Sequence, residues 1–461
     1  MKTVKNSIPV ILPMAVAVLL LTACMKDFLD IKRDKTQVIP VTLEDYRSVF
    51  ENQAMNYNYP VIGEIGSDDY YITAQQWNAL SDPVQRNAYI WADDIYQGGT
   101  GMDWNRSYER VLYANFVLEG VSEIAETPAN KALRDEVIGA AHFFRGMNFF
   151  LLAQLFCRQY EPTTAAGDLG IPLRTTSNIN VQYKRASLAD TYGQIIDDLE
   201  IAARLLPPVM SLNTRPYKAA AMGMLANVYL QMGDYPAALG YADNALSLAS
   251  DIIDYSEIDA SLNLPFPQYG RENKEIVFFT MMNNASILAN ARLTVDSVLY
   301  NSYDMHDLRK QVFFFDNVGR ITFKGHYSGS NTFFFTGLTS PEFLLVRAEC
   351  NARLGNIAAS VEDLNRLLSK RFEPQLFEPV SEDITQSELI RLVLSERRKE
   401  LIYRGRRWHD LKRFGNDPTL EESLVRVLDG TAYTLPLASP RWVWPLPPDV
   451  VNLGGLTQND R

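Results

Sequence analysis

Ala226 to Ala245 reads ANVYLQMGDYPAALGYADNA. Ala226, Tyr229, Gly233, Ala238 and Ala245 stand 3, 4, 5 and 7 residues apart. Apolar residues on either side of Gly233 keep a helical period, which predicts one helix over 216–232 and another over 235–249. Alanines at matched places let two helices approach closely. Gly233 supplies the turn between them.

This order of small residue, aromatic, turn and two further small residues resembles a tetratricopeptide repeat. A second, weaker copy lies 122 residues on, at Ala348, Asn351, Gly355, Ser360 and Leu367. Its turn, Leu354-Gly355-Asn356, parallels Met232-Gly233-Asp234, although the aromatic and the last alanine do not recur. Outward from this pair, helices are predicted over 102–125 and 129–156. The second carries Ala140, Phe143, Phe144, Met147, Phe150 and Leu151 at helical spacing. Ser187-Leu188-Ala189-Asp190 reads as a capping box opening a helix to Leu206, which Pro207-Pro208 stops. Further helices are predicted at 42–53, 341–354, 356–371 and 386–403.

The fold class is therefore mainly α: helix pairs over 102–250 and 340–415 form a scaffold. Two stretches break the pattern. Residues 56–101 are rich in turns and aromatics. Residues 251–337 hold loops and three short predicted strands, at 275–280, 319–323 and 332–335. The tail from Pro436, rich in Pro and Trp, is expected to be non-helical.

The chain has 461 residues, 47% of them hydrophobic, ample for a large core. It carries 44 basic and 55 acidic residues, a formal charge of −11. Such a balance gains nothing from the counterion release that drives non-specific nucleic-acid binding. The 3 cysteines, Cys24, Cys157 and Cys350, form no CxxC pair, and the 4 histidines form no HExxH pattern. No metal site or cofactor is expected. Cys157 and Cys350 fall in predicted helices and read as small buried apolar side chains.

The N-terminus assigns a compartment. Lys2 and Lys5 precede an apolar run from Ile8 to Leu21 that is too short to span a bilayer. Leu21-Thr22-Ala23-Cys24 resembles a bacterial lipobox. Residues 1–23 are then a signal peptide, Cys24 the lipidation site, and residues 24–41 a lipid-anchored tether. Residues 42–461 are expected to form one domain.

Ser395 to Gly415, SERRKELIYRGRRWHDLKRFG, puts eight Lys and Arg into this acidic chain. The spacing of Glu396, Arg397 and Glu400 on one helix, then Asp410 and Arg413 on the next, predicts a structural clamp of forked Arg–carboxylate pairs. Trp408 and Leu411 supply its apolar packing. The same stretch is similar to the C-terminal "ERR-x-E-L-x-x-E-G-x-R-W-x-D-L-x-R" signature of SusD/RagB-like outer-membrane nutrient-uptake proteins. Arg404 departs from it, standing where a Glu is usual. AAHFFRGMNFFLLAQLF (Ala140–Phe156), Gly170-Ile171-Pro172-Leu173, Trp444-Pro445-Leu446-Pro447 and Leu456-Thr457-Gln458-Asn459 also resemble that family's segments.

The resemblance implies a binding protein without catalysis. It implies capture of glycan fragments, or peptides in some branches, beside a SusC-like TonB-dependent transporter. It also implies an outer-membrane lipoprotein; in such lipoproteins acidic residues soon after the cysteine, here Asp27 and Asp30, favour export to the cell surface. A sugar packs its C–H face on an aromatic ring and its hydroxyls on planar polar groups. Ser67 to Asn78, SDDYYITAQQWN, offers both. The candidate ligand-binding residues are Asp68, Tyr70, Tyr71, Trp77 and Trp91, with Tyr269, Tyr303 and Tyr327 secondary. The competing assignment packs these aromatics against the long helices.

Two other classes fit less well. Asp68 and Asp69 are adjacent, which rarely sets two carboxylates across one glycosidic bond. His409-Asp410 lacks a placed serine. One strong and one weak repeat, split by a long insert, do not make a continuous protein-binding solenoid.

Overall fold

The Met102–Ser122 and Lys131–Phe156 helices begin a serial stack in a computed structural model that describes residues 40–267, 273–415 and 423–461. The Leu188–Leu205 helix packs on Lys131–Phe156, Lys218–Met232 on that, and Tyr235–Leu248 on Lys218–Met232. Tyr235–Leu248 then meets Ser340–Arg353, which carries Ile357–Leu368 and Gln386–Glu400. The 251–337 insert thus leaves the stack continuous, with the second helix pair docked on the first. About 48% of the residues are helical. Cys24, the 1–23 signal peptide, nearly all of the tether and Tyr269 lie outside the described residues.

The repeat residues do what their sizes allow. Ala226, Ala238, Ala242 and Ala245 are fully buried, and Tyr229 stacks on Tyr241 at 5.4 Å with planes 6° apart. Gly233 and Gly355 both turn the chain at positive φ, 75° and 81°, where a side chain would be strained. In the weaker copy Ser360 replaces an alanine and donates its hydroxyl to the Ala348 carbonyl at 2.8 Å. The two pairs meet where Gly223 faces the Phe343 ring; a Cβ there would lie 2.0 Å from it.

Capping agrees with the sequence at Ser187, whose hydroxyl accepts the Asp190 amide. Arg145, from the long aromatic helix, donates to Asp198 at 2.9 and 2.7 Å and to Asn115 at 2.9 Å. One guanidinium therefore ties three consecutive helices. Cys157 and Cys350 are free and buried.

Several local expectations are corrected. The first helix stops at Val49, and a 3-10 turn follows at Gln53–Met55. Residues 332–335 form no strand; Phe335 makes an isolated bridge to Met281, and the strand beside Ile276–Phe278 is Leu338–Thr339. The tail, expected to be non-helical, contains a 3-10 turn at Pro440–Trp442 and a short α-helix at Pro448–Asn452, each started by a proline whose fixed φ suits a first helical turn. A hairpin, Leu424–Leu428 with Thr431–Leu435, was not expected. Its alternation is visible in the burial: Leu424, Arg426 and Leu428 point inward, while Val425 and Val427 face solvent. An inward arginine is what hides that pattern in the sequence.

Leu43–Arg461 makes one compact unit. Its strands occur only as two-stranded pairs among the described residues. One pair matters for the site: Tyr70–Tyr71 runs antiparallel to Thr294–Val295, with Tyr70 opposite Val295 and Tyr71 opposite Thr294. This joins the two loop-rich segments.

Candidate ligand-binding site

The eight basic residues of Ser395–Gly415 are all engaged inside the protein. Arg397 and Arg413 both hold Asp410, at 2.9 Å each, and Arg413 forks onto Glu349 at 2.5 and 2.8 Å. Lys399 reaches Glu396, Arg406 reaches Glu342, and Lys412 donates to the carbonyls of Gln154 and Cys157. Arg404, the departure from the family pattern, lies 4.0 Å above the Tyr327 ring. Beneath them Arg309 joins Asp307, Glu396 and Glu400, and Arg371 joins Glu400 and Glu275. Burial opposes ionisation of Glu400, yet Arg371 and Arg309 hold its carboxyl down at about 2. Removing one partner of such a pair strands a buried charge and costs about 3–5 kcal/mol. The stretch is a clamp, wider than two helices, and it leaves no free basic patch.

The remaining two arginines reach the predicted site. Arg407 grips Asp68 with Nε and Nη2 at 2.7 and 2.8 Å. Arg398 meets Asp68 at 3.0 Å and Asp69 at 2.8 Å. Burial favours the neutral acid, but Arg407 and Arg398 outweigh it and hold the Asp68 carboxyl well below its usual range. For Asp69 burial wins and its carboxyl is raised. Glu64, buried next to them, is pushed up to about 8 by burial and then by Asp69, although the Gly405 amide donates to it at 2.9 Å. Two arginines therefore face three carboxylates, and a proton on Glu64 relieves the excess negative charge.

Two of the candidate aromatics are used internally. Trp91 is fully buried and donates its indole N–H to the Gly66 carbonyl at 3.0 Å. Tyr70 is 3% exposed and donates to the Ile65 carbonyl. Together with Tyr89 they enclose Arg426 of the unexpected hairpin, whose guanidinium lies 3.7 Å from the Tyr89 ring, 4.6 Å from Trp91 and 5.5 Å from Tyr70. Arg426 also donates to the backbone carbonyls of Tyr89, Ile65 and Ser67. Tyr303 and Tyr327 are core residues, bonded to the Lys399 carbonyl and to Tyr255 and Glu275 respectively.

Tyr71 and Trp77 differ. Alternation along the strand turns Tyr71 outward, and it is 46% exposed. Trp77 is half-buried on the Ala74–Asn78 helix, and its indole N–H is anchored to the Arg86 carbonyl at 2.8 Å. That helix is held by a complete capping box between Thr73 and Gln76. Gln76 also donates to the Ala291 carbonyl, so the insert again meets this face. Asn290, Arg292 and Arg320 lie beside it, each bonded to backbone carbonyls of the insert. Sequence reasoning missed this junction because Gln76 and Ala291 are 215 residues apart.

The same two segments line a cleft of about 100 Å³ between Ile62, Gln85, Met102 and Asn283–Asn284. That is well below the ~300–1,000 Å³ of small-molecule sites. A ligand on this side would rest on the exposed rings. Among the described residues no group of His, Cys, Asp and Glu could hold a metal ion. No described helix is long and apolar enough to cross a membrane.

Fold and face define a helical-repeat scaffold that carries its open aromatics on irregular segments. Residues 27–230 match the SusD-like family described as "Starch-binding associating with outer membrane", and residues 341–460 match the SusD family. SusD-like protein P2 of Formosa agariphila is 22% identical, covering 77% of this chain and 80% of that one. A SusD superfamily protein of Bacteroides thetaiotaomicron superposes with a TM-score of 0.73 at 19% identity, covering 91% of this chain and 100% of the other. A SusD-like carbohydrate binding protein of Bacteroides vulgatus gives 0.68 at 18% identity, over 90% and 96% of the two chains. The chain belongs to the SusD-like family, whose members associate with the outer membrane.

Proposed function

We propose that this protein is a lipid-anchored, cell-surface glycan-binding protein that passes oligosaccharide or polysaccharide fragments to a SusC-like TonB-dependent transporter. Cys24 carries the anchor in this reading. The binding surface is the face shared by residues 56–101 and the 251–337 insert. Tyr71 and Trp77 are its aromatic platform; Asp68 holds that face in place through Arg407, and Tyr70 and Trp91 support it from beneath.

The observation that carries the reading is the strand pair that sets outward Tyr71 opposite Thr294, on the same Ser67–Asn78 stretch as the anchored ring of Trp77. Rings pre-set by backbone hydrogen bonds lose little freedom on binding, and a flat open face suits the C–H side of a sugar chain. The protein's part is capture; the reading assigns no catalytic residue. The likeness to the SusD-like carbohydrate binding protein of Bacteroides vulgatus supports the ligand class.

Affinity electrophoresis of the purified chain through gels loaded with starch, xylan, pectin and other soluble polysaccharides tests it. Retardation by at least one glycan, lost on Tyr71→Ala with Trp77→Ala, is expected. Retardation by none, or retention unaltered in that double variant, overturns the assignment.

A further inference from the structure

Two hairpins in the protein are closed by the same kind of two-residue turn. Phe314–Asp316 pairs with Ile321–Phe323, and Asn317 and Arg320 exchange backbone hydrogen bonds around Val318-Gly319. Leu424–Leu428 pairs with Thr431–Leu435 around Asp429-Gly430. The central residues of both turns have positive φ, 53° and 79° in the first, 48° and 77° in the second. A type I′ turn demands this of both residues, which is why Asn-Gly and Asp-Gly are its usual occupants. Asp429 meets the demand. Val318 does not: it is β-branched, and a left-handed backbone crowds its Cβ against the following carbonyl.

The chain's own packing does not offset this strain. Val318 is 97% exposed, so its side chain adds nothing to the core. A strained residue persists where its surroundings hold it, and such residues cluster at ligand-binding sites. Here the holding groups are explicit. Asn317 donates its side-chain amide to the Asn290 carbonyl at 3.0 Å, and the Gly319 amide donates to Asp316 Oδ1 at 2.6 Å. Arg320 donates to the carbonyls of Asn290, Arg292 and Leu293. The tip is thereby fastened to residues 290–293. That stretch also meets the proposed binding face: the Ala291 carbonyl accepts from Gln76, next to Trp77, and the following Thr294 pairs with Tyr71. At no more than ~3.5 Å per residue, 290–294 extends at most ~14 Å.

We infer that Val318 is a third contact of the glycan face, its isopropyl group packing on the C–H side of a saccharide unit that neighbours those on Tyr71 and Trp77. This rests on the glycan-binding reading and deepens it: the ligand is then an extended saccharide chain rather than a single sugar. A tip held rigid by its hydrogen bonds loses little freedom on contact, and covering it removes apolar surface from water. The strained valine is thus kept for what it touches outside the chain.

Affinity electrophoresis of the full chain through gels of starch, xylan, pectin and other soluble polysaccharides, run beside differential scanning calorimetry, tests the assignment. Val318→Asn gives the turn its ordinary chemistry and should raise the melting temperature by ~1–2 °C. The same variant should bind the retarding polysaccharide about three- to tenfold more weakly. Val318→Ile keeps the apolar tip and should bind like the wild type. A role confined to the fold does not produce a gain in stability together with a loss of binding. If the wild type is retarded and Val318→Asn is retarded equally, the inference fails while the glycan reading stands. A lower melting temperature in Val318→Asn, or weak binding by Val318→Ile, also overturns it. A wild type retarded by none of the polysaccharides removes both.

Discussion

Arg407 and Asp68 stand 339 residues apart in the chain and meet through two charge-assisted hydrogen bonds of 2.7 and 2.8 Å. The pair fastens the basic C-terminal stretch to the aromatic N-terminal segment. With Arg398 it makes Asp68 a structural anchor beside the proposed binding face.

Arg407→Met should therefore act on stability. It leaves Asp68 to Arg398 alone in a largely dry site, and a loss of about 3 kcal/mol is expected. Urea unfolding measures it. The companion Asp68→Asn change removes the stranded charge, so the double variant should be more stable than the sum of the singles predicts. Unchanged stability with lost glycan retention would instead make Arg407 a ligand contact.

Glu64 predicts a pH dependence. Its folded carboxyl titrates near 8, above the ordinary 4.5, so the folded state binds this proton more tightly than the unfolded one. Its contribution is complete below about 4.5 and is lost as pH rises through 8. Asp68 has the opposite sign: its contribution is present above 3.8 and is lost as pH falls below that value. Urea midpoints should decline from pH 6 to 9 in the wild type. Glu64→Gln keeps an acceptor for the Gly405 amide and should flatten that decline; an equally steep fall would place the titrating group elsewhere.

Gly223→Ala tests the joint between the two helix pairs. Phe343 is fully buried, so admitting the added methyl forces its ring to shift inside a packed core. Overpacking of this kind costs about 1–3 kcal/mol. Differential scanning calorimetry should show a lower melting temperature, with helicity by circular dichroism retained.

Buried and open aromatics should separate cleanly. Trp91→Ala empties the sandwich around Arg426 and should destabilise by about 3–5 kcal/mol. Tyr71→Ala should leave the unfolding midpoint nearly unchanged while weakening polysaccharide retention; Trp77→Ala should weaken retention too, with a loss of about 1–2 kcal/mol because its half-buried ring and its bond to the Arg86 carbonyl go as well. A Trp91→Ala chain of wild-type stability that no longer retains glycan would move the site onto that ring.

Local pattern determined much of this protein. The Ala226–Ala245 spacing specified a helix pair, Gly233 and Gly355 its turns, and Ser187 a cap, because these depend on neighbours a few residues away. Spacing within Ser395–Gly415 identified the Arg397–Asp410–Arg413 part of its clamp, while Glu349, Glu342, Arg309 and Arg371 come from elsewhere in the chain. Tertiary structure decided which aromatics are open. Tyr70 and Tyr71 are adjacent and chemically alike, yet one is buried beside Arg426 and the other faces solvent. That choice was set by a strand pairing with Thr294–Val295 and by a hairpin arginine more than 300 residues away. Such contacts leave no local period in the chain, since each partner is selected by the packing of the whole core.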